Sequence, residues 1–86
     1  MSPFRNNTAL SRFEYHVGEN FTLASYHIKE KTLFIDYVES PLPLRGTGAA
    51  GKLMQEIVTY AENKNLSIIP ICGYAAAWLK KNNRNG

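Results

Sequence analysis

The chain has 86 residues, a formal net charge of +3, 44% hydrophobic residues and a single cysteine. That length and apolar fraction describe one domain (1–86) with a small core and exclude a disordered chain. A lone cysteine excludes an internal disulfide and fits a reducing compartment. No apolar run approaches the roughly 20 residues of a membrane span, and no basic cluster with an apolar stretch opens the chain, so a cytoplasmic protein without a membrane partner is expected.

Met1 to Leu10 is polar and aperiodic and reads as a loose arm. Arg12–Val17 alternates polar and apolar residues, as a half-buried strand does. After a turn at Gly18-Glu19-Asn20, the aromatic and β-branched run Phe21–Ile28 reads as a second strand. Lys29-Glu30-Lys31 is a polar turn. Thr32–Val38 is a third strand, apolar enough to predict cover on both faces. Short turns join the three into an antiparallel meander.

Pro41 and Pro43 interrupt regular structure before Leu44. From Gly48 to Lys64, Ala50, Leu53, Met54, Ile57, Val58 and Ala61 recur at three- and four-residue steps, the apolar face of one helix. Leu66–Cys72 reads as a buried strand, parallel to the third because a helix intervenes. Pro70 places that strand at an edge or where it splays from its neighbour. Tyr74–Asn82 is a short helix, and 83–86 a frayed basic tail. The fold class is therefore α/β (α+β): three antiparallel strands, a parallel strand-helix-strand crossover and a short terminal helix.

The stretch Leu44-Arg45-Gly46-Thr47-Gly48-Ala49-Ala50-Gly51-Lys52 is where chemistry concentrates. Its glycines permit a sharp turn and close approach of a ligand, and the helix that follows points unpaired N–H groups and a positive dipole end at that turn. Such a mouth suits a phosphate or diphosphate. Gly46–Gly51 fits G-x-G-x-x-G. A dinucleotide fold would need these glycines directly after a strand and an acid roughly 20 residues on; Glu39–Arg45 intervene and the acid is missing. Gly46–Lys52 also fits most of G-x-x-x-x-G-K, but Leu53 follows where a magnesium-binding hydroxyl belongs.

Arg45–Ala50 also matches R-x-x-G-x-A, and it resembles the loop of the GNAT superfamily of N-acetyltransferases. The order of elements around it is similar too. Cys72-Gly73-Tyr74-Ala75-Ala76-Ala77 resembles the Cys-x-[Tyr/Phe] segment of a short single-domain variant, so the likeness runs from Arg12 to Asn82. The resemblance implies an acetyl-coenzyme A-dependent transfer to an amine acceptor, small molecule or protein. It implies a diphosphate held by the backbone of Arg45, Gly46, Thr47, Gly48, Ala49 and Ala50, and a pantetheine arm paired with the backbone near Tyr37, Val38 and Glu39. Tyr74 would line the cofactor groove.

For the transfer itself, Cys72 and Tyr37 are the catalytic candidates. Cys72 can protonate the departing thiolate or carry the acetyl group; a small buried residue is the plainer reading. Tyr37 stands where the short variant often has histidine. A phenol ordinarily titrates at about 10, which makes a poor base and a good hydrogen-bond donor. This departure leaves open a coenzyme-A-binding module with little or no catalysis. His16 and His27 lie on strands and read as satisfied structural residues, with His27 partly buried beside Phe21, Leu23 and Ser25. No spacing of His and Cys makes a metal motif, so no metal is expected. A small nucleic-acid binder is the weakest reading, because no basic-aromatic motif is present.

Overall fold

The computed structural model describes residues 2–82. Five strands form one sheet in the order β1-β2-β3-β4-β5: β1 Phe4–Asn7, β2 Arg12–Val17, β3 Asn20–Lys29, β4 Thr32–Glu39 and β5 Ser67–Pro70. The first four are antiparallel, and β4 and β5 are parallel. Helix α1, Ala49–Asn63, joins β4 to β5, and α2, Gly73–Lys81, follows β5. The mixed α/β architecture is as the sequence pattern predicts, with one more antiparallel strand.

That strand is β1, in the segment expected to be a loose arm. Its register with β2 runs from Phe4↔Tyr15 to Asn7↔Arg12. Polar residues hold it there, which is why no apolar period was visible. Asn6 Oδ1 accepts from the Tyr26 hydroxyl at 2.7 Å, and its amide donates to Tyr60 Oη at 3.4 Å. The Phe4 ring lies 5.6 Å from that of Phe13, a core residue. A single turn of 3-10 helix, Thr8–Leu10, then leads into β2. The 83–86 tail lies outside the described residues.

Both helices pack on one face of the sheet. Phe13, Ala24, Leu33, Ile35 and Ile68 from the strands meet Leu53, Met54, Ile57, Val58 and Ala61 of α1 and Ala75 and Leu79 of α2 in one buried cluster. Gly51 brings the helices close: a Cβ there would stand 3.4 Å from Trp78 Nε1. No helix of the described residues is long and apolar enough to cross a membrane. Strand β4 departs from its expected double cover. Leu33 and Ile35 are buried against the helices, whereas Tyr37 is 50% exposed. His27 is likewise more open than expected, with its side chain 53% exposed; it pairs with Asp36 at 3.0 Å and stacks on Phe34.

The turn between β3 and β4 is Glu30-Lys31, both at positive φ, the geometry of a tight two-residue hairpin. Ser67 N–H donates to Lys31 O at 3.0 Å, so this turn also fixes the start of β5. The register of β4 with β5 spans only Thr32↔Ser67 to Ile35↔Pro70. Beyond it, the N–H groups of Ile71 and Cys72 both converge on Ile35 O, at 2.9 and 3.2 Å. The β3–β4 register slips between Ser25↔Tyr37 and Tyr26↔Ile35, which leaves Asp36 as an extra bulged residue. Asp36–Glu39 thus continues along β3 with no partner on its β5 side.

On the sheet face away from the helices, Glu14 is only 2% exposed. Burial alone pushes its carboxyl up. Hydrogen bonds from Asn7 at 3.0 Å, Arg12 at 2.7 Å and His16 at 2.8 Å outweigh that and hold it at about 2. Because the folded value lies below the ordinary 4.5, the linked stability is present above about pH 4.5 and is lost as pH falls toward 2. At neutral pH it amounts to about 3 kcal/mol. Urea unfolding followed from pH 6 to pH 2 is expected to show this loss in the wild type and to show it flattened in Glu14→Gln, which should also be less stable by about 2 kcal/mol at pH 7. Equal pH slopes in the two proteins would remove Glu14 from this role.

Candidate functional site

The loop between β4 and α1 is built from its own backbone. Leu42–Leu44 forms a 3-10 turn that starts at Pro41, and Leu44 is buried. The Leu44 carbonyl accepts from Thr47 N–H at 3.3 Å and from the Thr47 hydroxyl at 2.6 Å. Thr47 Oγ1 in turn accepts from Ala49 N–H at 3.3 Å, which satisfies one donor of the first helical turn. Gly46 and Gly48 take φ of 78° and 86°, where a side chain is strained. A Cβ at either would meet nothing within 4 Å, so backbone angle, not crowding, requires glycine there.

The first intrahelical bond runs from Lys52 N–H to Gly48 O. Among the described residues, the N–H groups of Gly46, Gly48, Ala50 and Gly51 have no acceptor. They border a cleft of about 340 Å³ walled by Val38, Ser40, Leu44, Arg45, Gly46, Gly48, Ala50, Gly51 and Tyr74. Its one charged wall residue is Arg45, whose Nε donates to Ser40 O at 3.2 Å and ties the loop to the end of β4. Free amides, a helix N-terminus and a guanidinium without any acid make this cleft complementary to an anion. The bulge at Asp36 sets the other wall. It returns Val38, opposite Ala24, to the face of Ile35, and so aims Val38 into the cleft.

Of the residues singled out from the sequence, Val38, Arg45, Gly46, Gly48, Ala50 and Tyr74 line this cleft together. Thr47 and Ala49 do not line it; the first braces the loop and the second is buried beneath the helix start. Glu39 points to the opposite face of the sheet and lines a second cleft. Tyr37, opposite Ser25, is half exposed and lines neither. Cys72 is the partly buried N-cap of α2, fixed by its N–H to Ile35 O where β4 and β5 part. Burial pushes the Tyr74 phenol up, and the neighbouring Cys72 pushes it further. No hydrogen bond joins Tyr37 to Cys72.

Of the remaining wall residues, Ser40 lies outside the stretch singled out from the sequence, whereas Leu44 and Gly51 belong to it without an assigned contact. Leu44 was detectable as the one apolar anchor after two prolines. Gly51 closes the glycine pattern, but its contact with α2 depends on tertiary packing. Among the described residues, no group of three or more His, Cys, Asp or Glu side chains converges as a metal site would require.

The sequence model of the GCN5-related N-acetyl-transferase family matches residues 12–85. No curated protein matches the chain. The family match spans the meander, the glycine loop and both helices, and with the fold and the amide-lined cleft it leads to one conclusion: the chain belongs to the GCN5-related N-acetyltransferase family.

Proposed function

We propose that this protein transfers an acetyl group from acetyl-coenzyme A to an amine. The observation that carries the reading is the row of free N–H groups at the start of α1, opening on a cleft whose far wall is the unpaired edge of β4. The residues fit the group. Gly46, Gly48, Ala50 and Gly51 would hold the diphosphate by backbone amides, and Arg45 would add charge. The backbone of Val38 and Glu39 would pair with the amide-bearing arm as a neighbouring strand does. When bound, acetyl-coenzyme A supplies a thioester: the amine nitrogen bonds to its carbonyl carbon, the carbon–sulfur bond breaks, and the sulfur leaves as thiolate.

The chain's own residues have two tasks in that step, to place the reactants and to handle two protons. Cys72 sits where the two strands diverge, and its thiol would give a proton to the departing sulfur. The ammonium proton of the acceptor would pass to water, because no base lines the cleft. Tyr37, on the outer face, would donate a hydrogen bond to the incoming acceptor. Its position away from the cleft also favours a second reading, a coenzyme-A-binding module with little turnover.

Titration with coenzyme A is expected to raise the melting temperature with ligand concentration and to shift the amides of Gly46–Gly51. Gly48→Ala, forced to a φ of 86°, should lose about 1 kcal/mol of stability and at least fivefold in coenzyme A affinity. Amide shifts centred elsewhere would overturn the site. Cys72→Ala should lower kcat by about 10²-fold and leave the KM for acetyl-coenzyme A unchanged. Undiminished kcat would assign the proton to water, and binding without turnover of any amine would select the binding module.

A further inference from the structure

The second cleft, of about 220 Å³, opens on the sheet face that carries no helix. Phe21, Leu23 and Pro41 give it apolar walls, and Glu19 and Glu39 are its charged residues. Neither glutamate has an ion-pair partner among the described residues. The cations nearest Phe21 are already committed. The Arg12 guanidinium carbon lies 5.2 Å from the Phe21 ring centroid, but its Nε is 2.7 Å from Glu14. His16 stacks on the same ring and is bound to the other oxygen of Glu14 at 2.8 Å. On a chain of net charge +3, this apolar cleft carries only negative charge. An alkylammonium matches it: methylenes against Phe21, Leu23 and Pro41, and the charged end toward the two carboxylates.

Its position gives the match a use. Val38 and Glu39 are successive residues of β4 and so point to opposite faces; the first lines the amide-rich cleft and the second the acidic one. The two clefts stand back to back across one strand. Beside that strand the sheet is open, because β5 ends its pairing at Ile35↔Pro70. Along β4, Glu39 lies about 10 Å from the bulged Asp36, at ~3.3 Å per residue. We infer that the Glu19–Glu39 cleft binds an alkylammonium group of the acceptor, so that the acceptor carries two amines, one anchored in the cleft and one presented at the gap between β4 and β5. The presentation of the second amine rests on the proposed acetyl transfer; the anchoring of the first does not.

Amide spectra of the full chain, titrated with spermidine, with a blocked peptide bearing two lysines and with n-butylamine, test both parts. Spermidine or the dilysine peptide is expected to shift Glu19, Asn20, Phe21, Leu23 and Glu39. The exposed double variant E19Q/E39Q should bind that cation about tenfold more weakly, and Glu19→Gln, which lies outside the coenzyme A cleft, should weaken it severalfold with coenzyme A affinity unchanged. Tighter binding of spermidine assigns a free polyamine, and tighter binding of the peptide assigns lysine side chains. A monoamine that binds as tightly as either overturns the two-amine requirement. Shifts scattered over the surface, or equal affinity in the double variant, overturn the site. Cation binding in the cleft with no coenzyme A binding elsewhere would refute the proposed transfer and leave the cation site standing.

Discussion

The parting of β4 from β5 is the constraint on which the molecule's arrangement turns. The ladder covers all four residues of β5 and stops at Ile35 of β4, four residues short of that strand's end. Here the amides of Ile71 and Cys72 both turn to Ile35 O, Pro70 offers no N–H, and Asp36 bulges on the facing strand. Three local features thus close the ladder at one point. The consequence is the bulged Asp36 followed by three residues of backbone, Tyr37–Glu39, that are paired on the β3 side only. Unpaired strand edges are ordinarily a hazard and are covered or charged. This one faces a cleft bounded by the N-terminus of α1, so the fold keeps an edge and a row of free amides next to each other.

Charge follows the same division. The cleft on the helix side presents Arg45 and oriented N–H groups, and the cleft on the open side presents Glu19 and Glu39. A single strand separates them. Glu14, Arg12 and His16 form a closed set nearby, so they contribute little net field to either cleft when the imidazole is neutral. Local inversion of charge across a sheet a few ångströms thick lets one small domain attract an anion to one face and a cation to the other.

Much of this was legible in the sequence. The helix α1 followed from the three-and-four spacing of Leu53, Met54, Ile57, Val58 and Ala61, because burial of one face imposes that period. Pro70 announced the edge and the divergence, since a missing donor cannot sit in a central ladder. The glycine loop was legible for the same reason: positive φ leaves a compositional mark. What escaped was set by contacts distant in sequence. Asn6 looks like a loop residue, and only the hydroxyls of Tyr26 and Tyr60 make it an inward anchor of β1. The bulge at Asp36 shifts the parity of β4, so that Val38 instead of Tyr37 shares a face with Ile35, and the side chains of Val38 and Glu39 line two different clefts. A one-residue slip of this kind has no local signature, because it depends on the register of the neighbouring strand.

The Glu30-Lys31 turn, with Ser67 N–H on Lys31 O, ties β4 and β5 together at one end, while among the described residues no backbone bond joins them past Ile35. The two strands are therefore jointed like the arms of tweezers. The ladder from Thr32 to Ile35 fixes their spacing, and past it the two backbones separate. The width of the open end and the tie at the closed end are thus set by separate residues, and either can be altered while the other is kept.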